Sequence, residues 1–117
     1  MGETLKKESP MAHFDKRKCE RKLVREKVIY SFGNVFYSGN LRNVSKEGMF
    51  VETAYCLPVD ASMILVMKYN DSFLNLRVKV KRLVRKSGSY KGMGLQLMNA
   101  QGRYLEYVDS LEPAYKS

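Results

Sequence analysis

The sequence is poor in the side chains that most enzymes use for catalysis or metal binding. His13 is the only histidine among 117 residues and lies in a polar leader, which argues against histidine-based triads and His-carboxylate zinc sites. Cys19 and Cys56 are too few for a disulfide scaffold and lack the spacing of metal ligands, so we expect two free thiols. The sequence therefore predicts a protein that is not an enzyme and that binds no metal or cofactor.

Long apolar segments are also missing. The longest uninterrupted apolar run covers residues 63–67, far short of the roughly 20 residues that cross a bilayer. Residues 1–9 are mostly polar and do not show the charged and then apolar pattern of a secretory leader. We therefore expect a cytoplasmic protein without a membrane span.

Positive charge is abundant. The chain has 21 lysines and arginines against 12 acidic residues, and its formal net charge is +9. Basic residues concentrate in segments 16–27 and 77–91, and the second segment contains no acidic residue. This charge favours a polyanionic partner, but it does not choose between a nucleotide, a nucleic acid, an anionic membrane and an acidic protein.

The length is typical of a single domain, and the pattern of residues predicts strands. We expect a flexible leader over residues 1–15, one domain over 16–112 and a short tail over 113–117. Short alternating or β-rich segments, separated by turn residues, predict strands at 28–32, 35–44, 49–53, 62–69, 73–85 and 92–97. Two irregularities are expected: a bend or bulge at 38–40, and a bulge near Arg82, where the alternation slips.

Only the end of the chain has the period of a helix. Tyr104, Leu105, Val108 and Leu111 follow spacings of three and four, and Pro113 would close a helix of roughly ten residues. The predicted fold is all-β with one terminal helix: a six-stranded antiparallel β-barrel whose mouth is capped by the C-terminal α-helix.

Two short motifs point to a function. The first is Arg21-Lys-Leu-Val-Arg25, of the form RxxxR, and the second is Asn43-Val-Ser45-Lys-Glu-Gly48, of the form NxSxxG. In this order, on a basic chain of predicted strands that ends in a helix, the motifs resemble those of the PilZ domain, a small bacterial β-barrel that binds cyclic di-GMP. The resemblance covers roughly residues 17–112. Asn43 stands where the family usually has aspartate.

The resemblance implies a site for cyclic di-GMP. Arginine forms paired hydrogen bonds with phosphate and with the O6/N7 edge of guanine, and Lys22 could add a point charge. Asn43 and Ser45 would project from one face of a strand, and Gly48 would need positive φ or a close approach of backbone to ligand. We expect the two arginines to lie on a loop. The predicted ligand-binding residues are Arg21, Lys22, Arg25, Asn43, Ser45 and Gly48.

The resemblance also implies a receptor that changes the conformation of its RxxxR segment and signals to a downstream protein partner. One alternative is an adaptor of the same fold that binds no ligand. Another is a small basic barrel that binds nucleic acid, with aromatic residues interleaved among basic ones. We expect those aromatic residues to lie in the barrel core instead, which argues against nucleic acid; they are Tyr30, Phe32, Phe36 and Tyr37.

Overall fold

The computed structural model describes residues 21–99 and 102–111. These residues form six strands and one helix. Their bounds are β1 Lys22–Phe32, β2 Val35–Val44, β3 Gly48–Glu52, β4 Ser62–Tyr69, β5 Ser72–Lys86, β6 Ser89–Leu97 and α1 Gly102–Asp109. The predicted leader, the predicted tail, His13 and Cys19 lie outside the described residues.

Three hairpins join neighbouring strands through two-residue turns. Both residues of each turn have positive φ, as the turns that match the twist of a hairpin require. The turn residues are Gly33 and Asn34, Asn70 and Asp71, and Ser87 and Gly88. Glycine, asparagine and aspartate tolerate this conformation best, so these turns follow directly from local sequence.

The strands form a closed barrel in the order β1-β2-β3-β6-β5-β4, with every neighbouring pair antiparallel. The β1–β4 pairing closes the barrel, with Ile29 opposite Val66. This confirms the predicted fold. Closure gives every strand a paired neighbour on each side.

The core fills the interior of the barrel. Leu74, Leu76, Val78 and Val80 of β5 alternate with exposed or half-buried polar residues, as predicted. Buried residues of all six strands and of α1 form one cluster. The alternation of apolar and polar residues therefore decides which face of each strand packs inward.

Register irregularities interrupt the ladders, and a basic residue lies at each of them. On β1, Val24 and Arg25 stand opposite the single residue Arg42 of β2. Lys81 is the extra residue of β5 opposite β6, which confirms the bulge expected near Arg82, and Lys91 is the extra residue of β6. Bulges bend a strand and re-aim its side chains, so these cations leave the regular alternation.

The C-terminal helix lies over one mouth of the barrel. Its buried residues are Tyr104, Tyr107 and Val108. Tyr107 packs edge-on against Tyr69 at the end of β4, with ring centroids 5.3 Å apart. The helix is slightly shorter than predicted, since Leu111 lies beyond its end and is half-buried against the core.

Several local predictions were wrong. The first strand begins at Lys22 rather than at residue 28. Residues 38–40 do not interrupt β2, because Gly39 stays in register with Val28. A side chain at Gly39 would meet the Cγ1 atom of Val51 at 2.7 Å, so this glycine permits close packing of strands rather than a bend.

The prediction that four aromatic residues lie in the core holds only in part. Tyr30 is fully buried and Tyr37 stacks on it, with ring centroids 5.5 Å apart. Phe36, by contrast, is 76% exposed and Phe32 is 39% exposed. Within the described residues, no helix is long and apolar enough to cross a membrane.

Candidate functional site

The two motifs meet at the helix-covered mouth of the barrel. Arg21 immediately precedes β1, and its Nη1 atom donates a hydrogen bond of 2.6 Å to Oδ1 of Asn43 near the end of β2. Both residues lie where β1 begins and β2 ends, since the two strands are antiparallel. The pairing of these strands therefore brings together groups that are 22 positions apart in the sequence.

Arg25 lies in a bulge of β1, so the prediction that both arginines lie on a loop is wrong for this residue. Its side chain is exposed and borders an open hollow of about 480 Å³. Asn43 borders the same hollow, together with Leu23, Val24 and Arg42. The bulge thus gives Arg25 an orientation that a regular strand position would not have.

Ser45 holds the turn between β2 and β3. Its side chain is 3% exposed, and its hydroxyl oxygen accepts hydrogen bonds from the backbone N–H groups of Glu47 at 3.3 Å and Gly48 at 3.2 Å. The backbone N–H of Ser45 also donates to the carbonyl of Gly48 at 2.8 Å. This geometry supports a role for Ser45 in shaping the turn.

Gly48 is required by close packing and not by its dihedral angles. Gly33 and Gly88 are the glycines with positive φ among the described residues, so of the two alternatives predicted for Gly48 positive φ is wrong, and a close approach of backbone to ligand stays a prediction. A Cβ atom at Gly48 would stand 2.5 Å from the carbonyl oxygen of Leu95 in β6. Glycine therefore lets β3 approach β6 at the point where the turn ends.

The helix is tied to both motifs by hydrogen bonds. Lys22 donates from Nζ to the carbonyl of Val108 at 2.7 Å, an interaction that the dipole of the last helical turn favours. Tyr104 donates from its hydroxyl to the carbonyls of Ser45 at 2.7 Å and Gly48 at 3.1 Å. Burial raises the pKa of Tyr104, so the hydroxyl stays protonated as a donor.

A second hollow, of about 300 Å³, adds two cations that the motifs do not contain. Arg21, Ser45 and Gly48 line it on one side. Lys81 and Arg82 of β5 line the other side, with Gln96 of β6. The slip in alternation near Arg82 predicts a bulge, but nothing in the local sequence connects this bulge with the site.

Arg82 is held over the surface of the barrel by its neighbours. A Cβ atom at Gly94 would stand 2.9 Å from Cγ and 3.0 Å from Nε of Arg82, so the arginine occupies the space that a side chain would fill there. Its guanidinium carbon lies 5.9 Å from the ring centroid of Phe50. The bulge at Lys81 makes this possible, because regular alternation would turn Arg82 toward the core.

Three arginines of the site lack a carboxylate partner within the part of the chain that the structure describes, whereas Arg42, beside the first hollow, has one. The ion pairs found there join Glu52 to Arg42 at 2.6 Å and to Lys91 at 3.0 Å. Lys91, and to a smaller extent Arg42, lower the pKa of Glu52. By contrast, Arg21, Arg25 and Arg82 form no such pair among the described residues, so no described carboxylate competes with an anion for them.

Comparison with known proteins identifies a family to which the sequence is similar. The family described as PilZ domain matches residues 15–111. No curated protein matches the chain in sequence. The matched range includes both motifs, all six strands and the helix.

Solved structures share the fold at low sequence identity. The chain superimposes on Bacillus subtilis inhibitor of motility, MotI/DgrA, with a TM-score of 0.66 and 14% identity, covering 79% of this chain and 47% of that one. It superimposes on the PilZ domain of Escherichia coli YcgR with c-di-GMP with a TM-score of 0.64 and 15% identity, covering 82% of this chain and 91% of that one. The K. pneumonia MrkH–c-di-GMP complex matches with a TM-score of 0.62 and 15% identity, covering 80% of this chain and 49% of that one. The chain thus spans about half the length of MotI and MrkH.

Proposed function

Because the chain belongs to the PilZ domain family, we propose that it is a receptor for cyclic di-GMP. The observation that carries the proposal is the 2.6 Å hydrogen bond between Arg21 and Asn43, which joins the two motifs beside two open hollows. Support also comes from the YcgR PilZ domain and MrkH, which share this fold and were solved with this ligand. A cytoplasmic location and the absence of catalysis are parts of the proposal.

In this proposal the arginines supply most of the binding energy. Arg21 and Arg25 would take phosphate oxygens or the O6/N7 edge of guanine in paired hydrogen bonds. Arg82, over the same hollow as Arg21, would be a third guanidinium for the ligand. Three or four charge-assisted bonds of about 1.5–3 kcal/mol each can reach the roughly 8 kcal/mol of micromolar binding, after ordering costs.

The other predicted residues have more limited roles. Asn43 would orient Arg21 and present its free NH2 group to the ligand. Ser45 and Gly48 would shape the turn beside the ligand. Lys22 would act through its charge, since its ammonium group is engaged by the Val108 carbonyl.

Signalling would use the contacts between the motifs and the helix. A ligand that draws Arg21 and Arg25 toward its phosphates would reposition the start of β1, and Lys22 would transmit the change to the end of α1. The resulting surface would be recognised by a downstream protein partner. Hydrogen exchange of β1 and α1 amides, with and without ligand, tests this step: we expect increased protection in both, and unchanged exchange would contradict it.

Calorimetric titration with cyclic di-GMP tests the binding proposal. Single Arg21→Ala, Arg25→Ala and Arg82→Ala variants should each lose more than about tenfold in affinity, because each removes a charge-assisted contact. Lys86→Ala is the matched control, since it removes an exposed cation of β5 that borders neither hollow of the site. GMP should bind far more weakly than cyclic di-GMP.

The alternatives predict different titrations. A flat titration of the native chain would contradict the receptor proposal and favour the adaptor that binds no ligand. Binding of oligonucleotides of any sequence, with affinity falling steeply as salt rises, would favour the nucleic-acid alternative.

A further inference from the structure

The outer surface of the barrel carries an apolar centre that the core does not use. Ile29 of β1 lies directly opposite Val66 of β4, and Ile64 lies two positions along β4 on the same outward face. Ile29 is 47% exposed, and the other two are half-buried. Directly opposed outward residues have Cβ atoms about 5 Å apart, so these three side chains form one continuous patch.

Two exposed phenylalanines extend this patch at its sides. Phe36 of β2 lies opposite Ser31, which in turn lies opposite Ile64. Phe73 of β5 lies opposite Lys68. Lys68 is the next residue after Val66 in β4 that points to the same face. They are 76% and 65% exposed. A single exposed apolar side chain is ordinary, whereas five adjacent ones mark a surface for interaction.

The charged residues at the outward strand positions beside the apolar centre all have one sign; Glu52, opposite Asn40, and Asp71, in the turn before β5, lie just outside these positions. The remaining outward positions of these strand segments are Lys27, Ser31, Ser38, Asn40, Lys68, Asn75 and Arg77. Three are cations and none is a carboxylate. We call this surface, with the five apolar residues at its centre, the outer face; none of its residues lines either hollow of the candidate site.

We propose that the outer face binds an acidic, amphipathic segment of a partner protein. An apolar centre within a polar rim is the anatomy of a protein interface, and the cationic rim selects carboxylates. A second copy of this chain would bring Lys27, Lys68 and Arg77 against themselves, with a net charge of +9 on each molecule. Three cations on a flat sheet would also hold an anionic bilayer only weakly.

The proposal goes beyond the receptor function and does not depend on it, because binding at the outer face needs no nucleotide. The probe is a phage-displayed library of random peptides, selected on the full chain without cyclic di-GMP. Selected peptides are then synthesised, and their affinities are measured by fluorescence anisotropy. We expect a consensus that combines aspartate or glutamate with apolar residues.

Variants locate the binding. Phe36→Ser with Phe73→Ser should weaken the selected peptides by more than about tenfold, and Lys68→Glu with Arg77→Glu should do the same. Val59→Ser and Lys86→Glu are matched controls, since both side chains are exposed outside the outer face. Titration of the same variants with cyclic di-GMP separates the two proposals: its affinity should not change. The substituted side chains are solvent-exposed, and circular dichroism verifies that the variants fold.

Several results would overturn the proposal. These are selected peptides without acidic residues, or peptides whose binding survives both double substitutions. Concentration-dependent dimerisation that the phenylalanine variant loses would assign the face to self-association. If no peptide consensus is found and the phenylalanine variant loses binding to phosphatidylserine vesicles, the outer face is assigned to a membrane. If the lost binding is to single-stranded oligonucleotides, the face is assigned to nucleic acid.

Discussion

Arg21 and Asn43 are joined by a hydrogen bond of 2.6 Å between a guanidinium Nη1 donor and an amide oxygen acceptor. The oxygen of Asn43 is therefore engaged within the protein. The primary effect of Asn43 is to orient Arg21 at the border of the second hollow. This relation makes the asparagine a positioning residue as well as a predicted ligand contact.

Asn43→Asp should tighten the binding of cyclic di-GMP several-fold. A carboxylate makes a charge-assisted bond to Arg21 and keeps a second strong acceptor for the N–H groups of guanine. Calorimetry of the two proteins at one ionic strength measures the effect. Weaker binding in Asn43→Asp would show that the carboxylate sequesters Arg21 from the ligand. Asn40→Asp, which adds the same charge to β2 outside the two hollows, is the control.

Tyr104→Phe should lower the free energy of unfolding by about 1–3 kcal/mol, because it leaves the carbonyl of Ser45 without its hydroxyl donor, while the carbonyl of Gly48 keeps the N–H of Ser45. Tyr107→Phe is a closely matched control. Its hydroxyl is buried without a hydrogen-bond partner among the described residues, and burial raises its pKa to about 12. Urea unfolding should show that Tyr107→Phe is neutral or stabilising. Equal losses in the two variants would contradict the role of Tyr104 as an anchor of the turn.

Gly48→Ala should destabilise the barrel by about 1–3 kcal/mol, since the added methyl group would stand 2.5 Å from the Leu95 carbonyl oxygen. Gly102→Ala provides the comparison. A Cβ atom there meets nothing within 4 Å, and alanine favours the helix. Thermal and urea unfolding of both variants measure the difference. A Gly48→Ala protein as stable as the native chain would mean that β3 and β6 can separate without cost.

Glu52→Gln should lower stability by its full amount above about pH 4.5, the ordinary pKa of the glutamate, and by progressively less as the pH falls below that value. Lys91 and Arg42 lower the pKa of Glu52 in the folded protein, so its ionised form contributes stability that is lost as pH falls through that lowered value. Urea unfolding of the native protein and of Glu52→Gln, measured at steps of about one pH unit between roughly pH 3 and 7, gives this difference in stability. High salt should reduce the difference, since the pair is partly exposed. A difference independent of pH would contradict the assignment.

The sequence could predict the strands and turns because both depend on local properties. Residues that tolerate positive φ, such as Gly33 and Asn34, favour a turn at the end of a strand because of their own conformational preferences. The alternation along β5 identifies Leu76 and Val78 as core residues without knowledge of their neighbours. The motif residues Arg21 and Asn43 could also be predicted, although only from a resemblance to a family.

Features that depend on pairing between distant strands could not be predicted in the same way. The slip near Arg82 was visible in the sequence, but its consequence for the site was not. The register of β5 against β6 makes Lys81 the extra residue and sets Arg82 over Gly94, on the surface.

Phe36 and Gly48 show the same limit. An aromatic residue in a strand suggests the core, yet the pairing of Phe36 with Ser31 turns it to the outside of the barrel. Gly48 has an ordinary φ, and the nearness of Leu95, almost fifty residues away in the chain, is what requires a glycine. Local sequence determined where each strand lies and which residues alternate. The closing of the barrel determined which side chains meet, because contacts between distant strands depend on register and on bulges that no local pattern specifies.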